Sequence, residues 1–392
     1  LKPTHLLIVA NDAKGTYLDK APLIEGEFEK ISWFKGEQAI VNAILTTTSH
    51  KVNKIYFLQG NGETSFHELD AQKPNMMQLK NWLMTENFAL QDINLLNIVE
   101  GIPQDCDILA IINPIAVLTP DEINKVENYL SHENKSGFKG RLFIAIGSNF
   151  LQQGNGRYQW IDTSLESLLL KYGILIENKL LIEPELTIKN MGFFSLYIPF
   201  NNIVPHTITQ PFIYNNLALS WGEKSRSIAP QAVTDKKLLF TPLLLTSEKC
   251  KSISDVTAMF NSYKNKQLNE FLSEREGKQV YIAACIGELI PKANRASFSE
   301  EDISPTGLKI LAVGNGCFLN SPIKETDRDF FINSIRWLTS EKEFIGNGTP
   351  ISQRISWKIP PEKEWFYREI IFYIMPLFWI FIGGFVWWVR KS

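Results

Sequence analysis

The sequence predicts an α/β protein: a mostly parallel sheet with a β-rich middle region, followed by one C-terminal transmembrane helix. Three observations carry this. Short apolar runs alternate with helical stretches through most of the chain. Between residues 181 and 250 the composition shifts toward Asn, Pro, Thr and aromatics in short alternating segments. Residues 370–389, twenty in a row, contain no charge.

Seven apolar runs have strand length: 5–10, 54–59, 93–99, 107–112, 141–146, 280–286 and 308–313. Continuous apolar strands with helices between them fit a parallel sheet covered on both faces, because each strand then buries both of its sides. The four runs from 54 to 146 form a flavodoxin-like series. The helices come from spacing and end signals. Ala39, Ile40, Ala43 and Ile44 recur at helical intervals within 36–46, and Met76, Met77, Leu79, Trp82 and Leu83 do so within 75–87. Segment 120–130 opens on Thr119 as N-cap and Pro120 at the first position, with Asp121 and Glu122 at the positive end of the helix dipole. Segment 163–172 opens on Thr163 or Ser164 and stops at Gly173, and 327–338 is the last helix of the body.

The expected organisation is an N-terminal β segment (1–33), an α/β sheet domain (34–180), a β-rich region (181–250) and a completion of the sheet (251–340). A tether carrying Pro350, Pro360 and Pro361 (341–366) and the transmembrane helix with its short tail (367–392) follow. A helix of twenty residues at about 1.5 Å each spans about 30 Å, the thickness of a bilayer's hydrocarbon core. Trp365 and Tyr367 flank one end and Trp387 and Trp388 the other, as aromatic rings do at both membrane interfaces. Gly383 and Gly384 supply small residues where a partner helix can pack closely. Cations stand on both sides of the segment, Arg354, Lys358, Lys363 and Arg368 before it and Arg390 and Lys391 after it. The chain starts at Leu1 rather than Met, which leads us to expect a longer precursor.

With 392 residues, 44% hydrophobic and 21% charged, the chain is long enough for one large domain or two smaller ones. A net charge of −2 offers no basic face for nucleic acid. Cys106, Cys250, Cys285 and Cys317 show neither CxxC nor metal-ligand spacing, and no cofactor or metal is expected.

Four constellations invite a chemical reading. Gly60-Asn61-Gly62-Glu63 follows an apolar strand, where parallel sheets place their ligands, but it lacks the glycine and Lys pattern of a phosphate loop. A structural turn and a ligand-facing turn both fit it. Glu37 stands at a helix start, where the dipole alone accounts for it. His206 is one of five histidines and sits in a Pro-bounded segment. Cys317 lies in a turn after the last strand, yet no histidine follows it to act as its base. Glu37, Asn61, Glu63 and His206 are the candidate ligand-binding residues, and no catalytic residue is assigned.

Taken in order, several segments resemble the gliding-motility-type (GldG-like) ABC transporter auxiliary family. They are Phe34-Lys35-Gly36-Glu37, the 52–63 strand ending in Gly60-Asn61-Gly62-Glu63, the 102–107 run into a strand and Pro114, and 118–130 with Glu122. Pro205-His206-Thr207-Ile208-Thr209, and then 310–320 with Asn333, Trp337 and Leu338, complete the series. At Asn61 the chain departs from the family, whose members carry His there. The resemblance implies a glutamine-amidotransferase-like sheet without the catalytic Cys–His pair. It also implies an extracytoplasmic body on the bacterial inner membrane, a further N-terminal membrane helix, and association with an ABC permease and ATPase. The expected function is therefore a non-catalytic substrate-binding or coupling subunit, whose ligand would be an envelope glycan or a small molecule. An envelope-glycan hydrolase using Glu37, Glu63 and His206, and a structural scaffold, are the alternatives.

Overall fold

Strand β1 (Asn53–Leu58) opens the part of the chain that the computed structural model describes, residues 52–340 apart from 68–73, 87, 155, 185–194, 222–223, 233–236 and 291–297. These residues all fall within the compact unit Leu1–Thr349. After β1 come α1 (Met77–Thr85), β2 (Phe88–Ile93), β3 (Ile108–Ile112), α2 (Pro120–Ser131) and β4 (Arg141–Ala145). A hairpin of β5 (Phe150–Gln152) and β6 (Tyr158–Trp160) leads to α3 (Leu165–Lys171) and β7 (Ile174–Ile182). Then follow β8 (Leu196–Ile198), α4 (Gln210–Tyr214), β9 (Leu219–Trp221), β10 (Arg226–Pro230), β11 (Leu238–Leu245) and β12 (Lys251–Ile253). The series closes with α5 (Val256–Lys264), α6 (Leu268–Ser273), β13 (Tyr281–Glu288), β14 (Lys309–Val313) and α7 (Glu325–Leu338).

The centre of the main sheet is parallel, in the order β2-β1-β3-β4-β14. This is the flavodoxin-like order, with β14 as fifth strand. Beyond it an antiparallel wing adds β13, β10, β7 and β12, with β11 paired along β13. Period-two alternation divides the core. Ile55 and Phe57 of β1 pack with Leu79 and Leu83 of α1 and Phe330 and Phe331 of α7. Tyr56 and Leu58 face the other way, onto Val126 and Leu130 of α2 and Leu165 and Leu169 of α3. Each fully buried side chain of this size contributes about 1.5–3 kcal/mol, so a doubly covered sheet is the stable arrangement for such strands. A third cluster, on the wing, joins Leu180 and Ile182 to Met259, Leu268 and Leu272.

Parallel centre and antiparallel wing meet at Gly314. Its N–H donates to the Ile282 carbonyl at 2.7 Å, and its own carbonyl accepts from the Arg226 N–H at 2.6 Å. A Cβ at this position would stand 2.1 Å from the Arg226 carbonyl oxygen, so only glycine lets β10 approach.

Two local expectations are corrected. The run 93–99 is not a strand; the strand is Phe88–Ile93. It is the outermost strand, bonded only to β1, so Gln91 and Asp92 are exposed and its apolar signal is diluted. The stronger run beyond it forms a loop anchored by buried Leu95. At α3, Ser164 makes no side-chain cap and has φ of 68°. Instead the N–H and Oγ1 of Thr163 donate to Glu166 Oε2 at 3.0 and 2.7 Å.

The N-terminal edge of the sheet holds two buried cations. Lys309 Nζ donates to the Trp337 carbonyl at 2.9 Å and to Ser340 Oγ at 2.8 Å, neutralising the C-terminal end of α7. Arg141 donates to the Pro305 carbonyl at 2.7 Å and lies over the Phe138 ring. The chain leaves the described residues at this edge. Among the described residues no helix is long and apolar enough to cross a membrane. The expected strand 5–10, helix 36–46, tether and apolar segment 370–389 lie outside them.

Candidate functional site

In a sheet of this order the crevice opens at the C-terminal ends of β1 and β3, where successive connections leave for opposite faces. Here the turn after β1 fills it. Gly60 and Gly62 have φ of 125° and 81°, conformations that side chains rarely adopt. The turn they allow drives Asn61 inward, where its carbonyl accepts from the N–H groups of Ile115 and Ala116 at 3.1 and 3.0 Å. Asn61 Nδ2 donates to Glu122 Oε1 at 3.0 Å, and the Asn61 N–H donates to Glu63 Oε2 at 2.8 Å.

Glu122, wholly buried at 0% exposure, is the hub. Its Oε2 also accepts from the N–H and Oγ1 of Thr119, each at 2.8 Å, while its own N–H donates back to Thr119 Oγ1 at 3.3 Å. The capping box of α2 is thus joined to the turn after β1 through Asn61. Burial raises the Glu63 carboxyl above the usual carboxylate range, and neighbouring Glu122 adds to this; hydrogen bonds from the turn oppose it. Glu63 Oε1 is buried with no hydrogen-bond partner.

The neighbouring strand ends are sealed in the same way. Ser148 N–H donates to the Lys224 carbonyl at 2.6 Å and Ser148 Oγ to the Ser225 carbonyl at 3.0 Å. Asn315 Nδ2 donates to Ser225 Oγ at 2.8 Å. At this crown of strand ends Leu96, Val99, Ile115 and Val117 are turned outward, 55%, 95%, 47% and 62% exposed, among the exposed polar residues Asn97, Glu100, Thr119 and Asp121. Ile115 lies directly over Gly62, and Asn94, two residues before Leu96, lies over Gly60.

Of the four candidate ligand residues, the structure brings Asn61 and Glu63 together, as mutual partners rather than as a surface. Glu37 lies outside the described residues, as do Trp365, Tyr367, Gly383, Gly384, Trp387 and Trp388. His206 stands elsewhere. Its Nδ1 accepts from the Ile208 N–H at 3.2 Å, so Nε2 carries the proton. Nε2 faces Glu300 Oε2 at 3.4 Å and Cys285 Sγ at 3.6 Å, beside the Trp337 ring. The sulfur beside the histidine is therefore that of Cys285, not Cys317. Cys285 is wholly buried, and burial pushes its thiol well above the ordinary value, so the pair does not supply a thiolate nucleophile. Among the described residues no group of His, Cys, Asp or Glu could hold a metal ion. The residue the sequence reading missed as a site element is Glu122; the Thr119-x-x-Glu122 spacing announces its capping role, but not its link to Asn61.

Residues 53–348 match the profile of a family described as an ABC-type uncharacterized transport system. The chain belongs to this ABC transporter auxiliary family. The match begins at the first residue of β1 and runs past the end of α7, so it spans the parallel centre, the crown and the antiparallel wing. Membership associates the chain with ABC transporter components. No curated protein matches the chain. Among solved structures, the mmIFT52 N-terminal domain is similar at 13% identity and a TM-score of 0.44, over 74% of this chain and 98% of that one. A protein from Bacteroides uniformis described as ThuA-like is similar at 11% identity and 0.34, over 74% and 92%. The exo-beta-1,4-mannosidase Op5Man5 from Opitutaceae bacterium strain TAV5 is similar at 11% and 0.26, over 62% and 39%.

Proposed function

We propose that this chain is a non-catalytic coupling subunit of a bacterial ABC transport system of the gliding-motility type. It docks the permease and ATPase assembly while its body stands on the extracytoplasmic side, tethered by the apolar segment 370–389. The observation that carries this reading is the crown. Where a sheet of this order would hold a ligand, the polar groups of Asn61, Glu63 and Glu122 are turned inward onto one another. Four of the outward groups, Leu96, Val99, Ile115 and Val117, are ones that water does not favour and a protein partner does. The hydrolase alternative is weaker, because it needs Glu63 to meet substrate from a buried position and His206 to leave a buried one.

Purification of the full chain in detergent, with identification of co-eluting chains, tests the reading. Recovery of an ATP-binding subunit and a polytopic partner is expected. A Val99→Glu/Val117→Glu double variant is expected to melt like the parent and lose both partners. A chain that elutes alone and cleaves glycans would overturn the proposal. Labelling of an introduced surface cysteine by an impermeant reagent on spheroplasts reports the side of the membrane, and alkaline carbonate extraction reports the anchor.

A further inference from the structure

Beneath the crown, two buried carboxyl groups are joined through one residue and have no cation between them. Asn61 Nδ2 donates to Glu122 Oε1 at 3.0 Å, and the Asn61 N–H donates to Glu63 Oε2 at 2.8 Å. Glu122 is 0% exposed and Glu63 7%. We propose that the Glu63–Glu122 pair holds a single proton, carried by Glu63, and that loss of this proton loosens the turn on which Ile115 is seated. What the loosening does to docking rests on the coupling-subunit reading; the proton itself does not.

The bonding pattern assigns the proton. Both oxygens of Glu122 accept, Oε1 from Asn61 and Oε2 from the N–H and Oγ1 of Thr119, so neither is left to carry a hydrogen. Glu63 Oε1 is buried with no hydrogen-bond partner. An ionised oxygen without a donor costs more to bury than a neutral hydroxyl, so the proton belongs on Glu63. The charged surroundings agree. Among the described residues neither carboxyl has an ion-pair partner; Lys125, one turn further along α2, is engaged by Asp121 and by the Leu95 carbonyl. Segment 113–117, which covers the turn, carries no charge. Burial, and to a smaller extent Glu122, raise the Glu63 carboxyl above its ordinary 4.5, against hydrogen bonds from its own N–H and from Asn61.

Asn61 also links the pair to the outer surface. Its carbonyl accepts from the N–H groups of Ile115 and Ala116 at 3.1 and 3.0 Å. Ile115 covers Gly62, where a Cβ would stand 2.3 Å from its Cγ1. When the proton leaves to water, two carboxylates remain on Asn61 in a buried setting, and like charges so placed repel. Asn61 then shifts, and its carbonyl releases the two amides that seat Ile115. Because folded Glu63 holds its proton more tightly than the unfolded chain does, the stabilisation of the turn is complete below about 4.5 and is lost as the pH rises through the raised value. The relaxation is local, so it is read at these amides rather than in a melting curve. A partner seated on Ile115 is held more firmly at the lower pH.

The test is amide hydrogen exchange of the purified full chain in detergent between about pH 5 and 8, with protection measured against unstructured peptide. Asp327, a second buried carboxyl with a raised value, is silenced by working in an Asp327→Asn background. Protection of Ile115 and Ala116 is expected to fall about tenfold across this range, while Ile108–Ile112 keeps its own. Glu63→Gln, which has the shape of the protonated group and no charge, is expected to hold the low-pH protection throughout. Glu63→Ala removes the carboxyl altogether and is expected to give a flat profile as well, which covers the case in which Gln does not fit. In infrared difference spectra the carbonyl stretch of a protonated carboxyl is expected to fade with the same midpoint, and to be missing from both variants. Level protection at Ile115 and Ala116 in the parent, or a fall of equal size in the variants, would overturn the proposal. Recovery of the ATP-binding subunit and the polytopic partner is expected to decline with rising pH in the parent and not in Glu63→Gln. If no partner co-elutes at any pH, the coupling reading fails while the exchange profile still decides the proton.

Discussion

Glu122 is where the largest single-residue effect is expected. It accepts from Asn61 Nδ2 and from two donors on Thr119, all in a buried setting. Glu122→Ala leaves those donors unpaired and is expected to cost about 3–5 kcal/mol in denaturant unfolding, since each orphaned buried donor costs about 1–3 kcal/mol. Thr119→Ala, which removes only the cap, should cost about 1 kcal/mol. If the two substitutions cost the same, the link through Asn61 carries no energy. Asp327 sets a pH dependence. It stands in the first turn of α7, nearly wholly buried, with Oδ1 unpartnered. Burial raises its carboxyl from 3.8 to about 7, against the opposing pull of Lys324, Trp221 and Thr326. Because the folded protein holds this proton more tightly than the unfolded chain, the stabilisation is complete below about 3.8 and is lost as the pH rises toward about 7. Melting curves from pH 4 to 8 should therefore show a decline that Asp327→Asn removes. The variant should be the more stable protein at pH 8, by on the order of a few kcal/mol. An unchanged pH profile in the variant would refute the assignment.

Between elements, the joint at Gly314 is the weak point for substitution. Gly314→Ala places a methyl against the Arg226 carbonyl, a backbone atom that cannot rotate away. The expected loss is about 3 kcal/mol or more, with strain propagating into β10 and β13. Thermal unfolding of the variant measures it. How much each element shows in the sequence depends on where it sits. β3, β4 and β14 are buried at every position, and their apolar runs locate them within a residue or two. β2 misleads because, at the edge, two of its six residues are exposed, and the run that follows it is apolar for loop anchoring instead. α2 is readable because its start carries a complete capping box. α3 hides its start because the Glu166 carboxylate, inside the helix, accepts from Thr163, whereas Thr163 or Ser164 was expected to cap the helix with its own side chain.

For the molecule as a whole, the parallel centre and the wing should differ in local stability. β3, β4 and β14 lie between two covered faces, whereas hairpin β5–β6 pairs only with itself. Amide hydrogen exchange of the full chain should therefore be slowest in Ile108–Ile112, Arg141–Ala145 and Lys309–Val313, and faster by orders of magnitude in Phe150–Gln152. Equal protection in the two regions would contradict the division of the core. The sequence by itself determined the α/β class, the central strands, α2 and the order of motifs that marks the family, because these depend on local pattern: period, length and end chemistry. Tertiary structure alone decided that Asn61 and Glu63 face inward, that Glu122 joins them, and that His206 meets Cys285 rather than Cys317. Those contacts join residues up to 79 positions apart in the chain, and no local periodicity encodes which distant partner a buried polar group will find.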